Sequence, residues 1–300
     1  MYNLKRIITL ITQQRKFRNS CVLRLVGEGR VFIYVIPITN AVTDTTGPLP
    51  PRMETSLNYK MLGLIVALVV SSHILLLFNL ALPIGERYDT NQLIQNVLPL
   101  IPSIFAFFVT QRYWGSAVFG RAYFALGLAF LMTFIGEMVY SYYTVVLKED
   151  PYPSIADIFF FAFYPLAIYH LLKNILYFKR RWDILTKIWV TLIPITIVSI
   201  YAYLGSSGDT FDLYYGLVFV TATSSTLSLA ILGMLIFRHT LLGTVWLLLA
   251  FGLMMNSFAD VWYYYLELFE QYNDTHVVNS MWTMGYVIVA YALYKHRKTI

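Results

Sequence analysis

The sequence predicts an all-α polytopic membrane protein of eight transmembrane helices, built as a parallel duplication of a four-helix unit. Three observations carry this. The composition is apolar and poor in charge, eight apolar stretches are separated by loops of alternating sign, and the two halves match at a constant shift of 123 residues.

Of the 300 residues, 58% are hydrophobic and 17% aromatic, and only 13% are charged. Mean hydropathy is +0.61. Soluble domains carry about a quarter charged residues, so the chain's main partner is a lipid bilayer. The single cysteine, Cys21, excludes an intrachain disulfide framework and a Cys-based zinc site. The net charge of +6 resides in residues 1–60, which hold nine Lys/Arg against three Asp/Glu; the remainder holds thirteen of each sign. A basic tail on a neutral body gives no argument for nucleic-acid binding.

Eight stretches are each long enough, at about 1.5 Å per residue, to cross roughly 30 Å of hydrocarbon. They run over 61–83, 94–111, 121–146, 154–177, 184–204, 213–237, 243–266 and 276–294. The loops after spans 2, 4 and 6, with the C-terminal segment, contain eleven cations, Arg112 and Lys179–Arg181 among them, against the one acid Asp183. The other four loops contain nine acids, including Glu86, Asp89, Asp209 and Glu267, against Arg87 and Lys148. Lys/Arg excess marks the cytoplasmic side, so both termini are expected there.

Residues 22–40 contain Arg24, Glu28 and Arg30 and are too polar for a span. Residues 1–57 read as a basic, disordered tail, with Met53 as a possible start and a basic amphipathic arm over 4–24 as the alternative. The membrane halves are then 58–180 and 181–300.

The duplication rests on chemistry-bearing matches. Gly85-Glu86-Arg87-Tyr88-Asp89 matches Gly208-Asp209-Thr210-Phe211-Asp212; Glu137 falls on Asp260 and Tyr140 on Tyr263. After a one-residue gap, Asp157 meets Asn279, Tyr164 meets Tyr286, Tyr169 meets Tyr291 and Lys173 meets Lys295.

Ser154 and Asp157 form the S-x-x-D capping-box pattern, which gives Asp157 a structural role at a helix start. Glu137 and Asp260 lie inside apolar spans, roughly 15 Å and 9 Å from the outer end. A carboxylate at that depth costs about 2.5–3.5 kcal/mol and is kept where it faces the bundle interior. Spacing of three and four places Thr133, Glu137, Tyr140 and Thr144 on one helical face, and Asn256, Asp260, Tyr263 and Glu267 on another. These faces define a candidate acidic, Tyr-lined pocket for a cation, an amine or a proton: Glu137, Asp260, Tyr140 and Tyr263, with Asp157 and Asn279 at the rim. A buried polar network holding the halves in register is the competing role.

His73, His170, His239 and His296 are scattered along the chain, which argues against a metal centre. No P-loop, nucleophile elbow, HExxH or mid-span retinal-type lysine occurs, so no cofactor is expected. Asn273-Asp274-Thr275 fits an outer glycosylation sequon.

The segment Pro151-Tyr-Pro-Ser-Ile-Ala-Asp157-Ile-Phe-Phe, with Phe163-Tyr164-Pro165 after it, resembles polytopic membrane regions of uncharacterised archaeal and bacterial proteins that carry P-x-P-S-x-A-D-x-F-[YF]. Some of those precede histidine-kinase or diguanylate-cyclase domains. The resemblance covers about forty residues and implies a non-enzymatic sensor-like module. This chain ends at KHRKTI, so sensing implies a separate cytoplasmic signalling partner. A cation- or proton-coupled secondary transporter, an intramembrane hydrolase and a structural subunit of a membrane complex are the alternatives.

Overall fold

The computed structural model describes residues 20–27, 30–37, 63, 66–67, 70–71, 74, 96–116, 118–149, 151–237, 243–272 and 276–299. The chain divides into two compact units, Met1–Glu54 and Thr55–Ile300.

In the first unit, β1 (Ser20–Gly27) pairs antiparallel with β2 (Arg30–Pro37), in a register running from Ser20 opposite Pro37 to Gly27 opposite Arg30. Val22, Val26, Val31, Ile33, Val35 and Ile36 supply the β-branched side chains that favour a pleated strand. Residues 20–24, the end of the arm considered helical from the sequence, are therefore strand. The rest of that arm and most of the tail lie outside the described residues.

Seven helices form the described part of the second unit. They are α1 (Leu100–Arg112), α2 (Phe119–Ser141), α3 (Ile155–Phe178), α4 (Ile184–Leu204), α5 (Thr210–Phe237), α6 (Gly243–Glu267) and α7 (Val277–Thr299). α2 runs on as a π-helical turn, Tyr142–Leu147, which ends where Lys148 turns left-handed at φ 56°.

Among the described residues the eight spans expected from the sequence are corrected to six candidate spans and one shorter apolar helix. Expected span 2 begins too early: Pro99 caps α1 and Pro102 sits in its first turn, leaving 13 helical residues. At the standard rise that is about 20 Å, short of a roughly 30 Å hydrocarbon core. Of expected span 1, Gly63, Val66, Ala67, Val70, Ser71 and Ile74 are helical and exposed. Its remaining residues, His73 among them, lie outside the described residues, as do Gly85–Asp89 and Asn273–Thr275. The other six spans match their expected limits within three residues.

Local chemistry sets the helix starts. Ser154 Oγ accepts from the Ala156 N–H at 3.1 Å while Asp157 Oδ2 accepts from the Ser154 N–H at 2.6 Å, a complete capping box on α3. Asp183 caps α4, accepting from the Thr186 N–H at 2.9 Å. Asp209 accepts from Phe211 N–H at 2.7 Å at the start of α5.

Six helices close into a ring in the neighbour order α1, α2, α3, α5, α6, α7 and back to α1. α4 stands outside it, packed on α5 and burying only Thr186 and Tyr201. The expected pair of four-helix units is corrected with the span count, because seven helices are described in this unit. At the α6–α7 crossing, a Cβ on Gly252 would lie 3.0 Å from the Gly285 carbonyl oxygen, and one on Gly285 would lie 1.8 Å from Asn256 Oδ1. The two backbones touch because neither residue has a side chain. One end of the ring carries the acidic loops and the other the Lys/Arg-rich segments. Between them Leu126, Phe130, Leu249, Leu253, Val289 and Leu293 fill the interior and are buried.

Candidate functional site

Toward the acidic end, Asp260 on α6 is held from three helices. Its Oδ1 accepts from Trp282 Nε1 (α7) at 2.7 Å, and its Oδ2 accepts from Tyr164 Oη (α3) at 3.1 Å and from Thr223 Oγ1 (α5) at 3.3 Å. Thr223 Oγ1 also lies 3.0 Å from the Ser257 carbonyl oxygen and, with one proton, donates to one acceptor at a time. An ionised carboxylate accepts about four hydrogen bonds, so most of the capacity of Asp260 is used.

Glu137 on α2 is half-buried too, yet no described hydrogen-bond donor or charge acts on its carboxylate. Tyr286 on α7 is buried and within electrostatic range of both Glu137 and Asp260. Tyr263 lies within range of Tyr140 and Glu267 and packs against Tyr272 and Trp282, at 4.8 Å and 5.5 Å between ring centroids. Tyr286 thus stands by both carboxylates, and Tyr263 by Tyr140 and Glu267.

Asp157 and Asn279 are engaged by partners of their own. Asp157 is engaged in its capping box, with the Tyr215 phenol in electrostatic range. Asn279 is buried and accepts from Tyr272 Oη at 3.0 Å. In the loop before α3, Tyr152 Oη donates to Asp212 at 3.2 Å; burial and then the Asp212 carboxylate push that phenol above its usual range.

Four residues around the two carboxylates are absent from the sequence-derived site: Tyr164, Thr223, Trp282 and Tyr286. The shifted match of Tyr164 with Tyr286 is a signal for those two alone. In the structure Tyr164 bonds Asp260, and Tyr286 stands near Glu137 and Asp260.

A separate polar layer sits at the Lys/Arg-rich end. His170 is fully buried and its Nδ1 lies 2.9 Å from the Ala122 carbonyl oxygen. Tyr123 on α2 packs at 5.1 Å from the His170 ring and at 5.1 Å from the His296 ring, with Trp246 against all three. The histidines on α3 and α7, scattered in sequence, therefore converge in one layer. Among the described residues no group of three or more His, Cys, Asp or Glu is placed to hold a metal ion.

Comparison with protein-family models, curated proteins and solved structures gives no match. The chain is a polytopic all-α membrane protein by its six long apolar helices.

Proposed function

We propose that this protein is a non-enzymatic, sensor-like membrane module that takes up a small cation, an amine or a proton from its acidic end. The observation that carries this reading is the unequal provision for two carboxylates. Asp260 has three donors from three helices, and Glu137 has none among the described residues, while Tyr286 is near both. A carboxylate at membrane depth without a donor is available to a proton or cation. In this reading Glu137 binds, Asp260 ties α3, α5 and α7 to the site, and Tyr140 and Tyr263 wall it.

The sign of the loops supports an extracytoplasmic acidic end and cytoplasmic termini. The shared resemblance of the Pro151–Phe160 segment to sensor regions supports the same role, with a separate cytoplasmic partner at the Lys/Arg-rich end. The apolar fill between the carboxylates and the His170 layer disfavours a through-path, and with it a transporter.

The test is thermal unfolding of the full chain in detergent across pH, with Mg2+, Ca2+, Mn2+ and a panel of alkylammonium ions. A ligand that binds only the folded state raises the midpoint, by about 2.7 kcal/mol of stabilisation at a hundredfold excess over Kd. The expected result is a rise with one panel member, or with falling pH, that Glu137→Gln abolishes. If every condition leaves wild type and Glu137→Gln equally stable, the carboxylates are structural and the sensing role is wrong.

A further inference from the structure

We propose that the layer at the Lys/Arg-rich end is a site for a transition-metal ion of the imidazole-preferring class. Its ligands are His170 Nε2, a ring nitrogen of His296, and Tyr123 Oη. It is independent of the two carboxylates, from which the apolar residues Leu126, Phe130, Leu249, Leu253, Val289 and Leu293 separate it along α2, α6 and α7.

The atoms themselves point to a ligand. His170 Nε2, both ring nitrogens of His296, Tyr123 Oη and Asn174 Oδ1 are all buried with no hydrogen-bond partner among the described residues. Their residues are 0%, 2%, 0% and 0% exposed, so bulk solvent does not pair these atoms in this conformation. A buried polar atom left unpaired costs about 1–3 kcal/mol, and five of them in one layer call for a common partner.

The orientation of His170 is that of a metal ligand. Its Nδ1 faces the Ala122 carbonyl oxygen at 2.9 Å, which fixes the proton on Nδ1 and leaves a lone pair on Nε2. Metal-binding histidines are held by a second-shell acceptor in this manner. Asn174 Nδ2 donates to the His170 carbonyl at 2.8 Å, leaving Oδ1 as a further neutral oxygen donor.

The donor set selects the metal. Two imidazoles without a carboxylate suit zinc, copper, cobalt or nickel and not the oxygen-seeking Mg2+ or Ca2+. Arg112, which donates to the Arg297 carbonyl at 3.0 Å, acts on His296 with positive charge, opposing a dication. Tyr123 therefore joins as phenolate: its O–H bond breaks, the proton leaves to solvent, and the oxygen electron pair forms the bond to the metal. Metal uptake is accordingly coupled to release of a proton.

The experiment uses the full chain in detergent, purified with a tag free of histidine, stripped with chelator and dialysed against Zn2+ or Cu2+. Equimolar uptake is expected, with a phenolate-to-copper charge-transfer band in the visible for Cu2+. His170→Asn and His296→Gln abolish uptake. Tyr123→Phe removes the band and weakens binding at least about tenfold. Replacement of His73, His239 and His276 together leaves both readouts intact. Wild-type protein that takes up no metal overturns the site, and so does a folded His170→Asn/His296→Gln variant that takes up as much as wild type. Should that variant fail to fold, the copper band decides: its persistence in Tyr123→Phe, or its absence from wild type, refutes the ligand set.

Discussion

Trp282 donates its indole N–H to Asp260 across 2.7 Å, joining α7 to α6 through the carboxylate that also receives Tyr164 and Thr223. A hydrogen bond to a charged acceptor is worth about 1.5–3 kcal/mol. Trp282→Phe is expected to destabilise the full chain by that order, read as a lowered thermal midpoint in detergent. Tyr164→Phe is expected to cost less, because its bond is longer and Thr223 still donates to the same oxygen. Double substitution is expected to be non-additive, since both donors serve one carboxylate.

The two buried carboxylates are predicted to separate under neutralisation. Asp260→Asn turns an acceptor into a partial donor facing three donors and is expected to destabilise by about 1–3 kcal/mol. Glu137→Gln removes a charge that no described donor supports, so in the absence of ligand it is expected to be neutral or stabilising. Equal losses in parallel unfolding curves would place Glu137 in a polar network as well.

Ser154 and Asp157 satisfy each other's neighbours at the start of α3. Either residue changed to Ala is expected to cost about 0.5–2 kcal/mol, the range for losing a helix cap. The double change is expected to cost less than the sum, because the two bonds are reciprocal. A cost for Asp157→Ala that survives intact in a Ser154→Ala background would give Asp157 a role beyond the cap.

Gly285 is predicted to tolerate no side chain. A Cβ there would meet Asn256 Oδ1 at 1.8 Å and the Gly252 carbonyl oxygen at 3.0 Å, the second being backbone that moves only if α6 and α7 part. Overpacking of this kind costs about 1–3 kcal/mol. Gly285→Ala is expected to lower the midpoint, and Asn256→Ala to restore only the part due to the side-chain clash.

The start of α4 is predicted to loosen in acid. Hydrogen bonds from Thr186, and then the Lys179 ammonium at 3.4 Å, hold the Asp183 carboxyl below its usual range. A carboxylate whose pKa falls on folding contributes stability above its unfolded value and loses it as pH falls through the lowered one. Amide exchange in the first turn of α4 is expected to accelerate over that acidic window. In Asp183→Asn, which keeps a cap without a titrating group, the acceleration is expected to vanish.

The sequence by itself determined the membrane class, the limits of six spans, the capping role of Asp157 and the depth of Glu137 and Asp260. Each of these depends on hydropathy, period or short-range spacing, which act within a turn or two of helix. It overcounted spans because an apolar run reports burial in lipid without reporting where Pro99 and Pro102 let a helix begin. Tertiary structure decided what touches what: that Trp282, Tyr164 and Thr223 converge on Asp260, and that His170 and His296, 126 positions apart, share a layer with Tyr123. Those partnerships follow from the order in which helices close the ring, with α4 left outside it, and helix packing is set by shape at surfaces that a one-dimensional pattern does not encode.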